Sequence, residues 1–314
     1  MKHWRLTMAI IKVGPHTLEV DIASELERYE WTRAEWSADK LIAASPFRYE
    51  SRPSWFVNLT GEYAGTWGDS GAYETEWASG NFVKLLAFLR RETYEEAEDY
   101  LIETYGTFDG SKRAKIVMPS IHNRSRPKYL CESIIEQAIS PYFLRRGLGE
   151  DTQNIYGIGR GKQKGFTAIP WRTASGRLAN VMYRSTRGKL FFYEKGGIKR
   201  GHLVYGIDVV RKKQATRAAL CEAPIDAMSW YESTGGEIVG IAVGGITIST
   251  EQAEIIKRST IQTIILAGDN DKAGAKLNAE VKEKLRGHVR FKVANYGDSK
   301  DANEALQKKI KKDL

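Results

Sequence analysis

Three stretches of the chain end apolar runs in carboxylates. They are "AALCEAP", with Glu222; "ILAGDNDKAGAK", with Asp269 and Asp271; and "VRFKVANYGDSKD", which reaches Asp301. Taken singly, each acid suits the ordinary duty of capping the helix that follows it. Taken together they suggest more, because unpaired carboxylates packed side by side repel and raise one another's pKa, so a stable cluster needs a cation among them. A set of oxygen ligands points to Mg²⁺ or Mn²⁺, which usually keeps coordination positions open for water and substrate phosphates.

For these acids to meet, the segments carrying them must be parallel neighbours. From Ala218 onward apolar runs alternate with helix-like segments. "AALC", "IVGIAV", "QTIILA" and "VRFKVA" read as strands, with helices starting at Pro224, Ser249, Lys272 and Asp301. Pro224 suits a first helical turn, and Ser249 offers an N-cap before "EQAEIIK". Repeated βα units predict a parallel sheet with helices on both faces, hence an α/β fold, in which ligands bind beyond the carboxyl ends of the strands.

The 314 residues suffice for two or three domains. No apolar run approaches the roughly 20 residues that span a bilayer, and "MKHWRLTMAIIKV" lacks the apolar core of a signal peptide, so the cytosol is the default location. The two cysteines, Cys131 and Cys221, supply neither a disulfide framework nor a cysteine-based zinc site within one chain. Charge is unevenly placed. Lys and Arg number 11 against 19 Asp and Glu over residues 1–110, 23 against 6 over 111–217, and 14 against 14 over 218–314. The basic middle third interleaves its cations with aromatic and aliphatic residues in "FTAIPWRTASGRLANVMYRSTRGKLFFY", the apolar content of folded strands, and suits a polyanion such as nucleic acid or nucleotide phosphate.

The pattern of Glu222 and Asp226 in "CEAPIDAMSW", followed by "DNDKAG" at 269–274 and "KDANEAL" at 300–306, resembles the Toprim domain shared by bacterial-type primases, topoisomerases and some nucleases. Where that family usually places Gly after the Glu, this chain has Ala223 and Pro224. Upstream, "YFLRRGLGEDTQNIYGIG", "FTAIPWRTASGRLANVMYRS" and "GKLFFYEKGGIKRGHLVYG" are similar to successive segments of bacterial-type primases, and the resemblance covers about residues 128 to 306. It implies metal ligation by Glu222, Asp226, Asp269, Asp271 and Asp301, with Glu222, Asp269 and Asp271 catalytic. It also implies nucleotide or template binding by Arg145, Arg146, Arg184, Lys189 and Lys300.

The first third is similar to the zinc-binding module of those primases in its frame, "SPFR", "PSWFV", "TWGD", "SGNFVKLLAFL" and "TYEEAEDYL", but not in its ligands. The four ligand positions hold Ser45, Arg48, Thr66 and Asp69, so no tetrahedral N/S site remains and no zinc is expected. Trp55, Phe56, Trp67, Phe82 and Leu86 are the candidates to hold this ribbon by packing, and Thr93 with Glu96 forms a capping box.

The resemblance therefore implies a small primase of the phage or mobile-element kind with three parts: a zinc-less module at 1–112, a basic catalytic subdomain at 113–215 and a Toprim domain at 216–314. The expected activity is template-directed synthesis of short RNA primers, with Mg²⁺ or Mn²⁺ as cofactor and single-stranded DNA and nucleoside triphosphates as partners. Because the chain ends almost directly after the Toprim segment, a helicase is expected as a separate protein. A Toprim-type nuclease and a non-catalytic single-stranded DNA or replisome-binding protein are the alternatives.

Overall fold

A computed structural model of the chain describes residues 8–50, 52–106, 129–161 and 164–313. They fall into two compact units, one drawn from Met1–Pro127 with Arg187–Leu190, the other from Lys128–Thr186 with Phe191–Leu314. The boundary expected between 112 and 113 lies outside the described residues.

In the first unit the hairpin β1 (Ala9–Val13) and β2 (His16–Val20) leads into α1 (Ile22–Leu26). A five-stranded antiparallel ribbon follows in simple order: β3 (Glu35–Trp36), β4 (Lys40–Ala43), β5 (Trp55–Asn58), β6 (Trp67–Asp69) and β7 (Ser79–Gly80). Two helices close the unit, α2 (Phe82–Arg90) and α3 (Tyr94–Tyr105), the latter entered through the expected Thr93–Glu96 capping box. Trp55, Trp67, Phe82 and Leu86 are buried as expected. Phe56 is not. Strand alternation turns it to the outer face, where it is 36% exposed and the Lys40 ammonium lies 4.6 Å from its ring centre. Its place in the core is taken by Phe47, which meets Trp67, Trp77 and Phe88 at centroid distances of 4.9, 5.2 and 4.8 Å.

Three of the four positions where the resemblance would place zinc ligands meet in a polar knot. The Arg48 guanidinium donates to Asp69 Oδ1 at 2.9 Å and also pairs with Glu50 and Ser54, while Glu50 accepts from the Ser45 backbone N–H. The fourth position, Thr66, lies apart and donates its hydroxyl to the Tyr63 carbonyl at 2.7 Å. Burial pushes the Asp69 carboxyl up, but hydrogen bonds from Arg48, Ser45 and the Gly71 N–H, with the Arg48 charge, outweigh it and hold the pKa below its ordinary value. A fixed organic cation thus ties β6 to the loop after β4.

The second unit opens with β8 (Glu136–Gln137), α4 (Pro141–Leu144) and α5 (Glu150–Ile155). Strands β9 (Gly159–Arg160), β10 (Phe166–Arg172), β11 (Leu178–Ser185) and β12 (Phe191–Tyr193) complete an antiparallel sheet in the order β12-β11-β10-β9-β8. After α6 (Ile207–Lys213) the chain alternates strictly: β13 (Arg217–Cys221), α7 (Pro224–Ser233), β14 (Val239–Ala242), α8 (Thr250–Lys257), β15 (Thr263–Leu266), α9 (Lys272–Leu285), β16 (Arg290–Val293) and α10 (Ala302–Asp313). The four strands are parallel in the order β14-β13-β15-β16, and Ser249 caps α8 in a full capping box. One core joins both sheets, with Ile169, Trp171 and Met182 clustered with Leu220, Ile241 and Ile264, so the limit expected at 215–216 runs inside a single packed unit. Among the described residues no helix is long and apolar enough to cross a membrane.

Removing Asp69 leaves the Arg48 guanidinium buried without its main partner, so Asp69→Ala is expected to destabilise the first unit by on the order of 3–5 kcal/mol, read as a lowered Tm. Because the folded Asp69 pKa is depressed, its stabilisation is fully present above the ordinary carboxylate value of about 4 and is lost as pH falls through the lower folded value. Thermal unfolding with and without EDTA should coincide, and elemental analysis should find no stoichiometric zinc; one equivalent of bound zinc would show that the knot is not the structural cross-link.

Candidate active site

The strand order β14-β13-β15-β16 places a topological switch between β13 and β15, because the chain leaves β13 toward one side and later strands are added on the other. Glu222 follows β13 directly and Asp269 is the third residue after β15, so these acids flank the crevice. They touch: the Asp269 backbone N–H points at Glu222 Oε1 at 3.4 Å. Glu222 is 2% exposed, and its carbonyl accepts from the Gly244 N–H at 2.8 Å beyond the end of β14. Ala223, in the place of the usual glycine, has φ −119° and ψ 153°, extended backbone that any residue adopts, so the turn into α7 needs no glycine.

The "DNDKAG" segment is built by its glycine. A Cβ on Gly274 would stand 2.1 Å from the Asp269 carbonyl oxygen, so only glycine lets the first turn of α9 fold back on the strand end. Asp271 is the N-cap of that helix, its Oδ1 accepting from the Gly274 N–H at 2.9 Å. Asp301 likewise accepts from the Glu304 N–H at 2.8 Å at the start of α10. Both acids therefore do the capping duty that strand-end carboxylates commonly have, and each retains a second oxygen outside the cap bond. Asp226 lies in the first turn of α7, 6% exposed, with Oδ1 accepting from the Asn303 N–H at 3.2 Å. Burial pushes its pKa well above the ordinary value. The charges of Asp301, Asp269 and Glu222 push the same way, against the Asn303 N–H.

Among the described residues no three His, Cys, Asp or Glu side chains stand as a ready-made ion cage. The donor chemistry nonetheless fits a hard divalent cation: the set is oxygen-only, Glu222 and Asp269 adjoin, and the charges of Asp301, Asp269 and Glu222 all bear on Asp226. A pocket of about 260 Å³ opens beside the rim, lined by Asp269, Asp271, Asn278, Asn295 and Tyr296.

The expected basic residues are distributed unevenly. Arg146 reaches the rim through α10, its Nη1 donating to Asn303 Oδ1 at 3.1 Å, whereas Arg145 is exposed and offers its carbonyl to Gln307. Arg184 is half-buried on β11 opposite Thr167, on the sheet face that also carries Ile169 and Trp171. Lys300 is exposed and hydrogen-bonded through its carbonyl to the Asn270 N–H at 2.6 Å, which ties the two acid-bearing loops. Lys189 belongs to the first unit, its N–H donating to the Phe47 carbonyl at 2.9 Å and its ammonium 4.4 Å from the Tyr49 ring centre.

Two residues at this end of the sheet escape the sequence reading. Arg200 is 7% exposed, donates to the Val243 carbonyl at 3.3 Å and lies along Gly244, whose missing side chain makes room for it. Nothing distinguishes it from its neighbours in "GGIKRGHLVYG" except membership of the basic block. Asn303, 2% exposed, touches Asp226, Ser229 and Arg146.

Residues 219–306 match the Toprim-like family model. A DNA primase of Halalkalibacterium halodurans is 30% identical over 125 residues, 37% of this chain and 20% of that protein. A DNA primase of Deinococcus radiodurans is 28% identical over 150 residues, 46% of this chain and 26% of that protein. The chain thus spans about a quarter or less of the curated relatives it matches. The crystal structure of the Aquifex aeolicus primase, comprising zinc-binding and RNA polymerase domains, aligns over 94% of this chain and 82% of that one at 16% identity, with a TM-score of 0.45.

Asp226→Asn keeps an acceptor for the Asn303 N–H and removes a group whose ionisation is opposed by burial and by the neighbouring acids. In the absence of divalent cation the variant is therefore expected to melt at or above the wild-type Tm at neutral pH; a clearly lower Tm would show that the carboxylate is a net stabiliser of the fold.

Proposed function

We propose that this chain, a relative of bacterial DNA primases with a Toprim-like domain, synthesises short RNA primers on single-stranded DNA. The observation that carries the reading is the meeting of Glu222 and Asp269 at the switch point of the parallel sheet, with Arg146 and Arg200 at the same end. In the reaction the 3′-hydroxyl of one nucleotide attacks the α-phosphorus of the next. A new O–P bond forms, the bond between the α-phosphorus and the bridging oxygen breaks, and pyrophosphate leaves with the electron pair while the hydroxyl proton is released.

Each residue has a task in that step. Glu222, Asp269 and Asp271, with Asp226 and Asp301 beside them, would hold Mg²⁺ or Mn²⁺, which when bound supplies neutralisation of phosphate charge and a more acidic hydroxyl. Glu222, buried against the Asp269 N–H, would serve either as one of these ligands or as the base that accepts the proton. Arg146, Arg184 and Arg200 supply positive charge for the triphosphate and template backbone, and Arg's planar fork suits phosphate. Lys300 and Arg145 fit the outer path of a nucleic-acid strand, and Lys189, in the first unit, is a further candidate phosphate contact. Single-stranded DNA and nucleoside triphosphates are the partners this reading implies, and a replicative helicase is a further candidate.

The test is incubation with labelled single-stranded DNA, Mg²⁺ or Mn²⁺ and ribonucleotides. New short RNA is expected, Asp269→Asn should abolish it with folding retained, and strand binding should fall steeply between low and physiological salt. Shortening of the labelled strand without new RNA would establish a nuclease instead, and binding without either product a non-catalytic protein.

A further inference from the structure

Asn303 sits at the second position of α10, and its backbone N–H and both side-chain amide atoms are engaged. Its backbone N–H donates to Asp226 Oδ1 at 3.2 Å. Its side-chain oxygen accepts from Arg146 Nη1 at 3.1 Å, and its amide nitrogen donates to the Arg146 carbonyl at 3.0 Å and to Ser229 Oγ at 3.0 Å. One buried residue therefore grips Arg146 at both backbone and guanidinium, and grips a rim carboxylate as well. The Tyr142 ring, with its centre 5.3 Å from the guanidinium carbon, flanks the same group.

We propose that Asn303 is a positioning residue, holding the Arg146 guanidinium in a fixed place at the start of α10, whose backbone also binds Asp226, so that nucleotide phosphates meet an oriented cation. The inference rests on the function proposed above. The chemistry asks for an amide. A carboxylate would accept from the guanidinium but could not donate to the Arg146 carbonyl or to Ser229, and its charge would tie up the arginine rather than orient it. A neutral acceptor uses one N–H of five and leaves the positive charge and the remaining donors for phosphate.

A double-mutant cycle on the full chain tests this, with nucleotide KM, kcat, nucleotide binding by calorimetry, and Tm as readouts. Asn303→Ala is expected to raise KM and Kd roughly tenfold, the worth of one hydrogen bond to a charged group, with much less change in kcat. Arg146→Ala should raise them at least as much, and the double variant no further, because both act through one guanidinium. Ser229→Ala removes one bond of Asn303 without touching Arg146; it should lower Tm at most and leave KM unchanged. Should Asn303→Ala fail to fold, Asn303→Ser takes its place in the cycle. Additive effects, or a KM rise in Ser229→Ala equal to that in Asn303→Ala, or a Tm loss in Asn303→Ala with KM unaltered, would each overturn the proposal. If wild-type protein makes no primer, the functional reading fails by itself, and the same non-additivity must then appear in nucleotide binding alone.

Discussion

Mutual repulsion among Glu222, Asp226, Asp269 and Asp301 is the constraint around which the second unit is arranged. Like charges at short range in a poorly solvated crevice are costly, and backbone donors meet part of that cost. The Asp269 N–H faces Glu222, the Asn303 N–H faces Asp226, and the opening turns of α9 and α10 face Asp271 and Asp301. Helix N-termini carry partial positive charge without a titrating group, so Asp271 and Asp301 are held in place by backbone donors. The order of the parallel strands serves the same end, because only adjacent strands on either side of a switch point can bring Glu222 and Asp269 into contact.

Close packing beneath the rim makes this arrangement permissible. Gly240 on β14 lies so near α7 that an added Cβ would stand 1.8 Å from the Ala227 carbonyl oxygen, and Gly274 allows an equally tight approach of α9 to its strand end. The two glycines set how near the helix starts come to the sheet, and with that the distance from each carboxylate to its backbone donor.

The alternation of strands and helices after Ala218 was legible because it depends on local periodicity and on caps spelled out within four residues, as at Ser249 and Gln252. The acids were legible because they end apolar strands. What the sequence hid are pairings across long separations: Asn303 with Arg146 over 157 residues and with Asp226 over 77, and Arg200 with the end of β14. Phe56 shows a different limit, since an aromatic residue in a short ribbon faces core or solvent according to register, which a single strand does not declare. Lys189 shows a third, its neighbours Phe47 and Tyr49 lying more than a hundred positions earlier in the chain.

The Arg48 knot has a consequence for how the first unit comes into being. A bound ion joins a polypeptide after synthesis, by diffusion and at the mercy of supply, whereas a guanidinium arrives covalently attached and in fixed stoichiometry. Its encounter with Asp69 is a loop closure of 21 residues, an intramolecular event with a high effective concentration that does not vary with surroundings. Every copy of the ribbon therefore carries both halves of this cross-link in its own sequence, Arg48 and Asp69, in fixed one-to-one proportion.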